Sequence, residues 1–374
     1  MSAGRRQFIA GLGLATAGLG VAKPAFAEST PEVHWRLTSS FQPSLDLIYG
    51  GAQTFAATLS DLTDGRFTVT VLPAGEVAGA LDALDAASNG VAECAHTALH
   101  YYWNKDPTFV FGSSTPFGMN ARQHTAWLME GGGGELIDAF LAPHKVFALP
   151  AGNTGGQMAG WFRKEVKTTN DLQGMKVRIG GFAGKVFQLL GAEPVAIPKD
   201  GVYAAFESGA LDAMEWVGPY DDDKFGERKD GEKQVLAKVA PYYYYPGWWR
   251  GGMQLHLIVN REKFEALPKP YQAALRAAAS VANVTMQAKY DAANPAALKR
   301  LVVGGAELRL FPQDVLEACY KTASDLYSQL SAENANFKKI ADSYMAFRGD
   351  QYLWWQVAEY SFDNFMIRQR RTKS

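Results

Sequence analysis

The sequence predicts an α/β protein with two lobes, and three observations lead to this fold class. Segments with helical spacing of apolar residues alternate with short segments of β-type alternation near the start of the chain. The same order of elements begins again after residue 150. The length of 374 residues, with 47% hydrophobic and 20% charged residues, suits a soluble chain of two domains.

The first lobe opens in a strand–helix–strand–helix order. Gly90 is expected to end the second helix as the residue after the C-cap. The predicted elements are a strand over 33–41, a helix over 44–61, a strand over 67–71, a helix over 80–89 and a strand around 91–95.

The second lobe repeats this order around glycine-rich turns. The predicted elements are a strand over 176–179, a loop over 180–184, a helix over 185–190, a strand over 194–197, a helix over 201–209 and a strand end over 213–216. Loops at the carboxyl ends of strands are where open α/β sheets bind ligands. The loops that follow these strands are therefore the first places to search for a site.

One further strand and a helical region complete the chain. The strand is expected over 253–260. Residues 270–302 predict a long helix of up to roughly 50 Å, which Asn294-Pro295 should kink or restart. Residues 350–370 predict a helix dense in aromatic and aliphatic side chains. Such a surface needs a partner, either the rest of this chain or a second copy.

These elements set the expected domain boundaries. The first lobe is expected over 28–151 together with 241–275. The second lobe is expected over 152–240 together with 276–345 and contains the long helix. Residues 346–374 form the C-terminal helix, a candidate dimer contact. Because the chain passes between the lobes at these boundaries, a hinge is expected there.

Residues 1–27 have the features of an export signal. Arg5-Arg6 precede an apolar run over 9–22, and Ala25-Phe26-Ala27 matches a cleavage site. The paired arginines also suit twin-arginine export, so both this route and the general secretory route stay open. The apolar run is too short for a membrane span of about 20 residues. The expected location is the periplasm.

Composition and motifs exclude several classes of function. The formal net charge is −1 and the basic run is the tail Arg368–Lys373, so no nucleic-acid-binding surface is expected. Gly180–Lys185 lacks the first glycine and the Ser or Thr of a phosphate-binding loop. Serine-hydrolase and zinc-protease motifs are absent from the sequence, and no enzyme activity is expected.

Two polar features have ordinary structural explanations. Asp221–Asp223 are consecutive, unlike the alternating ligands of a calcium loop, and are expected on a solvated or capping surface. Cys94 and Cys319 fit no metal or redox spacing. Two buried thiols are expected, with a disulfide as the open alternative.

Four features remain, and each has a structural explanation as well as a functional one. Arg178 lies inside an otherwise apolar strand, just before a glycine loop, and suits a ligand carboxylate or an internal ion pair. Glu215-Trp216 offers a carboxylate and a carbonyl to a hard cation. Alternatively, Glu215 is simply a charged residue at the rim of the sheet. Gln157 could add a neutral oxygen or cap a turn. The aromatic clusters His100–Trp103 and Tyr242–Trp249 could line a cleft or belong to the core.

Taken together, these features resemble the solute-binding subunit of TRAP transporters. The resemblance covers about residues 33–300 and is most similar to the 2-oxoacid (pyruvate-type) and lactate binders. Its specific parts are the segments AMEWVGPYDDDK and YYYYPGWW. Its more general parts are LQGMKVRIG, AFESGALD and the segment LDALDAASNGVAECAH, which ends at His96.

The resemblance implies a two-lobed periplasmic-binding-protein fold with a hinge, a long spanning helix and a helical C-terminus. It implies that Arg178 holds the carboxylate of a small 2-oxo monocarboxylate such as pyruvate. The implied ligands of a sodium ion, or alternatively a calcium ion, are Gln157, Glu215 and the carbonyl of Trp216. The implied substrate contacts are Arg178, Gln157, Tyr101, Tyr102 and Trp103.

The implied partners are the membrane permease subunits of the transporter and a second copy of the chain in a homodimer. A 2-hydroxy acid such as lactate, bound with calcium, is the alternative ligand. An exported oxoacid lyase using the cation as a Lewis acid is the alternative of another class; it would need a general base, for which His96, His100 and His256 are the candidates. A periplasmic sensor with a partner kinase is a third class.

Overall fold

Two β-sheets with helices packed around them make up the fold, which confirms the α/β class. The computed structural model describes residues 31–197, 199–226 and 234–371. The export signal predicted over 1–27 lies outside these residues. Within the described part of the chain, no helix combines the length and the apolar character needed to cross a membrane.

The strands form one five-stranded and one six-stranded sheet. In chain order they are β1 (Val33–Ser39), β2 (Phe67–Leu72), β3 (Cys94–Thr97), β4 (Val146–Asn153), β5 (Gly160–Phe162), β6 (Lys176–Arg178), β7 (Glu193–Pro194), β8 (Ala213–Met214), β9 (Tyr242–Tyr245), β10 (Gln254–Asn260) and β11 (Glu307–Leu310). The first sheet has the order β2-β1-β3-β10-β4 and the second β11-β9-β5-β8-β6-β7.

The α-helices cover both sheets and form the C-terminal region. In chain order they are α1 (Asp46–Leu62), α2 (Ala83–Ser88), α3 (Ala121–Met129), α4 (Gly133–Leu141), α5 (Gly181–Leu189), α6 (Val202–Ser208), α7 (Pro219–Asp223), α8 (Arg261–Glu265), α9 (Lys269–Val303), α10 (Gln313–Glu333), α11 (Ala335–Trp355) and α12 (Ser361–Arg371). A π-helical stretch, Gln356–Tyr360, joins α11 to α12.

The first sheet matches the predicted opening of the chain. β1 pairs in parallel with β2 and β3, and β10 pairs antiparallel with β3 and β4. The alternating apolar residues of β1, together with Phe55 of α1 and Leu275 of α9, close one hydrophobic cluster. Gly90 follows α2 with a positive φ of 71°, as its predicted role in ending that helix requires.

The second sheet divides the chain differently from the predicted boundaries. β9 pairs antiparallel with β5 and parallel with β11, so Tyr242–Tyr245 belong to the second sheet, although residues 241–275 were assigned to the first lobe. The reason is a stack between Trp161 of β5 and Tyr243, whose ring centroids are 4.2 Å apart. β10 lies in the first sheet as predicted.

The long helix α9 serves both cores. It runs from Lys269 to Val303 without interruption, so the expected restart at Pro295 does not occur. Its first half contributes Leu275 to the cluster beneath the first sheet, and Leu301 near its end lies in the cluster of the second sheet. The predicted assignment of 276–345 to the second lobe is therefore too simple.

Two local predictions are wrong. The glycine loop over 180–184 is instead the start of α5, since Gly181 adopts a positive φ of 62° that lets a helix begin directly after β6. Asp221 and Asp222 are buried rather than solvated, each only 3% exposed. Tyr290 donates to Asp221, and Tyr243 and Trp161 donate to Asp222, which compensates their burial.

The two cysteines are free, buried thiols, as expected. Cys94 lies in the cluster under the first sheet, and Cys319 lies in a different cluster with the C-terminal helices.

Candidate functional site

A cavity of about 590 Å³ lies where loops from both sheets meet. The segment after β3 contributes His100, Tyr101 and Trp103, and the carboxyl end of β6 contributes Arg178. Its other polar wall consists of Glu215, just after β8, and Arg250, between β9 and β10. The cavity therefore lies at the carboxyl ends of strands, where α/β sheets bind ligands.

Arg178 is held in the cavity wall by backbone carbonyl groups. Its Nε donates to the carbonyl of Ile197 at 2.7 Å, and its Nη1 donates to the carbonyl of Glu215 at 3.3 Å. Burial lowers the pKa of the Arg178 guanidinium from its ordinary value, opposed by the charge of Glu215. Because these two acceptors are neutral, the positive charge of Arg178 is available to a ligand anion.

Arg178 and Glu215 also hold each other through the backbone. The N–H of Glu215 donates to the carbonyl of Arg178 at 3.2 Å, and the Arg178 side chain donates in return to the carbonyl of Glu215. β6 and β8 are parallel neighbours, with Arg178 beside Met214. The guanidinium of Arg178 also lies 5.2 Å from the ring centroid of Trp216, within cation–π range.

Gly160 sets the position of Glu215. It begins β5 with a positive φ of 92°. A Cβ at this position would press on the carbonyl of Met214 and lie 2.9 Å from the Cα of Glu215. Only glycine combines this φ with so close an approach of two chains.

Arg250 is a cavity residue that the sequence did not single out. Its Nη1 donates to Oε2 of Glu215 at 2.8 Å and to Oε1 of Gln157 at 3.4 Å. The Arg250 and Glu215 side chains are each 12% exposed, so they form a largely buried ion pair. Gln157 is in turn fixed by donating to Thr154 Oγ1 at 3.0 Å.

A neutral histidine orients Arg250 from the other side. Ser113 donates its hydroxyl to the carbonyl of Gln254, so it accepts from Nδ1 of His100 at 2.9 Å. Nε2 of His100 is then the unprotonated nitrogen, and it accepts from Nη2 of Arg250 at 3.3 Å. Burial and the charge of Arg250 hold the pKa of His100 well below its ordinary value, which agrees with this tautomer.

The predicted aromatic wall divides into two parts. Tyr101 and Trp103 line the cavity, and Trp103 packs on Phe182 with ring centroids 5.4 Å apart. Burial raises the pKa of Tyr101 to about 12, so its hydroxyl stays a hydrogen-bond donor. Tyr102 points the other way, into the core, where its hydroxyl accepts from the N–H of Leu84 at 3.0 Å. Tyr102 therefore does not line the cavity, because the 3₁₀-helical turn Leu99–Tyr102 directs its ring into the core while His100 and Tyr101 line the cavity.

The second aromatic cluster is core. Tyr243, Tyr244, Trp248 and Trp249 are buried, and Trp248 stacks on Phe117. Their function at the site is indirect, since they fix the chain immediately before Arg250. The one signal in the sequence that pointed to Arg250 is an arginine set between this apolar run and Gly251-Gly252.

Two of the predicted metal ligands, Gln157 and Glu215, lie close together at the cavity. Glu215 and Gln157 do face a common positive centre, but that centre is Nη1 of Arg250. A metal would have to rely on neutral oxygens beside Glu215 and would compete with the guanidinium.

The chain is similar to known solute-binding proteins over most of its length. Residues 38–334 match the family model described as DctP, bacterial extracellular solute-binding protein, family 7. It is 42% identical over 335 residues to a monocarboxylate 2-oxoacid-binding periplasmic protein of Nostoc sp., covering 90% of this chain and 89% of that protein.

Solved structures share the fold. A TRAP transporter solute-binding protein of Bordetella bronchiseptica, a mixed-occupancy dimer with calcium and picolinate in one site, is 41% identical with a TM-score of 0.86, covering 92% of this chain and all of that one. A TRAP periplasmic solute-binding protein of Pseudoalteromonas atlantica with bound sodium and pyruvate is 33% identical with a TM-score of 0.82, covering 89% and 99% of the two chains.

Family match, relatives and fold agree with one another. The chain belongs to the DctP family and is a periplasmic solute-binding protein of the TRAP transporter type, and not an enzyme.

Proposed function

We propose that this chain captures a small 2-oxo monocarboxylate in the 590 Å³ cavity and delivers it to the membrane permease subunits of a TRAP transporter. The observation that carries the proposal is Arg178, whose guanidinium lines the cavity while donating only to the neutral carbonyls of Ile197 and Glu215. A planar guanidinium binds a carboxylate through two parallel hydrogen bonds. The names of the relatives, a 2-oxoacid binder and a pyruvate complex, support this ligand class.

The remaining walls suit a small, partly polar ligand. Tyr101 presents a neutral hydroxyl as a donor for a 2-oxo oxygen, and Trp103 gives an apolar surface for the rest of the molecule. A cavity of this volume is larger than pyruvate requires, so we propose that the two sheets close on the ligand by a hinge motion. The binding free energy of the ligand is then used to close the two sheets around it, and not to drive a chemical reaction.

A metal ion, sodium or calcium as in the two solved relatives, is not part of this proposal. The reason is that Nη1 of Arg250 already lies between the side-chain oxygens predicted to bind it.

Titration calorimetry on Arg178→Ala tests the assignment. We expect the wild type to bind pyruvate and Arg178→Ala to bind at least about 100-fold more weakly, because two hydrogen bonds to a charged group are lost. Arg261→Gln is the matched control, since Arg261 pairs with Asp138 at 2.9 Å and does not line the cavity. Equal affinity of Arg178→Ala and wild type would show that the ligand carboxylate lies elsewhere. Lactate in the same titration measures the preference for a 2-oxo over a 2-hydroxy group.

We also propose that the chain forms a homodimer through its C-terminal helices, as the dimeric Bordetella bronchiseptica relative supports. Helices α11 and α12 and the π-helical stretch between them expose a series of large apolar side chains. These are Tyr352, Leu353, Trp354, Val357, Tyr360, Phe362, Phe365, Met366 and Ile367. Each is at least half exposed, and so many large apolar side chains exposed on one segment are typical of an interface.

A further inference from the structure

We propose that the guanidinium of Arg250 takes the place of a metal ion, so that the ligand is bound between two arginines and binding needs no metal. This inference rests on the proposed function and concerns the same cavity. It departs from the solved relatives, whose crystals hold calcium with picolinate or sodium with pyruvate.

The first argument is steric. Nη1 of Arg250 lies 2.8 Å from Oε2 of Glu215 and 3.4 Å from Oε1 of Gln157. A hard cation that bound both oxygens at about 2.3–2.6 Å would compete with this nitrogen for the same two acceptors. The guanidinium and the ion are therefore alternatives for one position.

The second argument is that Arg250 is fixed in place. Nη2 donates to the neutral His100, which Ser113 holds in the accepting tautomer. On the backbone, a Cβ at Gly251 would come within 2.5 Å of the carbonyl of Met119, so the chain after Arg250 is packed closely against its neighbour. Moving the guanidinium out would leave both His100 and the carboxylate of Glu215 without this donor.

The third argument is the charge of the cavity. Arg178, Arg250 and Glu215 are the charged side chains among its lining residues in the described part of the chain. With His100 neutral, they leave one net positive charge, which one carboxylate neutralises. An added sodium ion would leave one uncompensated positive charge and an added calcium ion two, and uncompensated charge is costly in a largely buried site.

The experiment is pyruvate titration of wild type freed of metal by EDTA and dialysed into sodium-free choline buffer. We expect the affinity to change less than about twofold when sodium or calcium is added back. Binding that appears only with one of the ions would overturn the inference and leave the proposed function standing. Absence of pyruvate binding under every condition would refute the proposed function itself.

Arg250→Gln provides the converse test. Removing the guanidinium leaves the oxygens of Glu215 and Gln157 for a metal ion. We expect this variant to lose at least about 100-fold in affinity without metal and to regain at least about tenfold with calcium or sodium. Metal-free binding equal to that of the wild type would mean that Arg250 has no part in holding the ligand.

Terbium luminescence gives a readout that needs no ligand. Trp216 follows Glu215 directly and can sensitise a bound terbium ion. We expect emission that calcium displaces in Arg250→Gln, and none in wild type or in the Arg261→Gln control. Calcium-displaceable emission from wild type would contradict the inference. Should Arg250→Gln fail to fold by circular dichroism, the wild-type titration decides alone.

Discussion

Nη1 of Arg250 and Oε2 of Glu215 are 2.8 Å apart, and the two residues come from segments 35 positions apart in the chain. Glu215 follows β8, whereas Arg250 lies in the connection from the second sheet to the first. Their ion pair therefore fastens that connection to the wall of the cavity. Arg178 donates to the backbone carbonyl of the same Glu215, so this residue contacts both arginines, one through its main chain and one through its carboxylate.

Glu215→Gln should be strongly destabilising without ligand. Breaking a largely buried pair leaves the guanidinium of Arg250 uncompensated, and we expect the free energy of unfolding to fall by about 3–5 kcal/mol in urea denaturation. The control is Glu165→Gln, because Glu165 pairs with Arg309 on the surface, where solvent screens the pair and the loss should be much smaller. Equal losses for both variants would mean that burial adds nothing to the Glu215 pair.

Gly160→Ala should lower the stability of the protein and displace Glu215 from its position in the cavity wall. The added Cβ would press on the carbonyl of Met214 and strain a φ of 92°. We expect a loss of stability of about 2–4 kcal/mol and a weaker affinity for pyruvate, because Glu215 must shift with β8. Gly156→Ala is the control, since a Cβ there meets nothing within 4 Å. Unchanged stability of Gly160→Ala would show that β5 can move away from β8 without cost.

His124→Gln should change how stability depends on acidity. Burial lowers the pKa of His124 to about 4, below the ordinary 6.5, so the wild type loses stability as the pH falls from 6.5 towards 4. Glutamine can keep the donation to the carbonyl of Phe111 but does not titrate. For each unit by which the pH falls in this range, the free energy of unfolding of the variant should rise by roughly 1.4 kcal/mol relative to that of the wild type. Urea denaturation at several pH values measures this difference. A difference that stays constant with pH would contradict the lowered pKa.

Asp222→Asn should change the pH dependence of stability in the direction opposite to that of His124→Gln. Burial raises the pKa of Asp222 to about 7, above 3.8 for the free carboxyl, so its contribution is fully present below pH 3.8 and is lost as the pH rises towards 7. The variant removes that dependence. Its stability relative to wild type should therefore rise with pH between 4 and 7, by at most roughly 1.4 kcal/mol per pH unit. Parallel curves would show that Asp222 is ionised throughout.

The combined variant Leu353→Glu and Phe362→Glu tests the dimer. Both side chains are more than 60% exposed in the single chain, and burying a carboxylate in an apolar interface is costly. We expect sedimentation to show dimers for wild type and monomers for the variant. Val303→Glu, at a 90% exposed position on α9, should leave the dimer intact. A wild type that stays monomeric at high concentration would rule out this interface.

Which residues of the site could be predicted depends on how far apart in the sequence their partners lie. Arg178 and Glu215 could be found because each ends a recognisable strand, and strand ends of a sheet gather ligand-binding residues. Arg250 could not be found in this way, because it pairs with a residue 35 positions away in the chain. The aromatic run before it gave no further signal, because these side chains pack in the core, as such runs ordinarily do.

Local backbone geometry limited the rest. The glycines at 180 and 181 are typical of a loop, yet a positive φ at Gly181 starts a helix at once. Tyr102 could not be separated from Tyr101 by composition, since only the turn after β3 decides which ring faces the cavity. Burial of Asp221 and Asp222 depends on hydroxyl and indole donors that come from distant strands and helices.

Helix α9 has a mechanical consequence for capture. It is one continuous rod, but Pro295 lacks an N–H and so leaves the carbonyl of Asp291 without its usual helical donor. The side chain of Asp291 lies near Gly155, in the crossing from β4 to β5, where a Cβ would be 3.1 Å from its Oδ1. The turn of α9 that lacks this hydrogen bond thus lies beside the crossing from β4 to β5. We therefore expect the proposed hinge closure to bend α9 at this turn, beside the point where the chain crosses between the sheets.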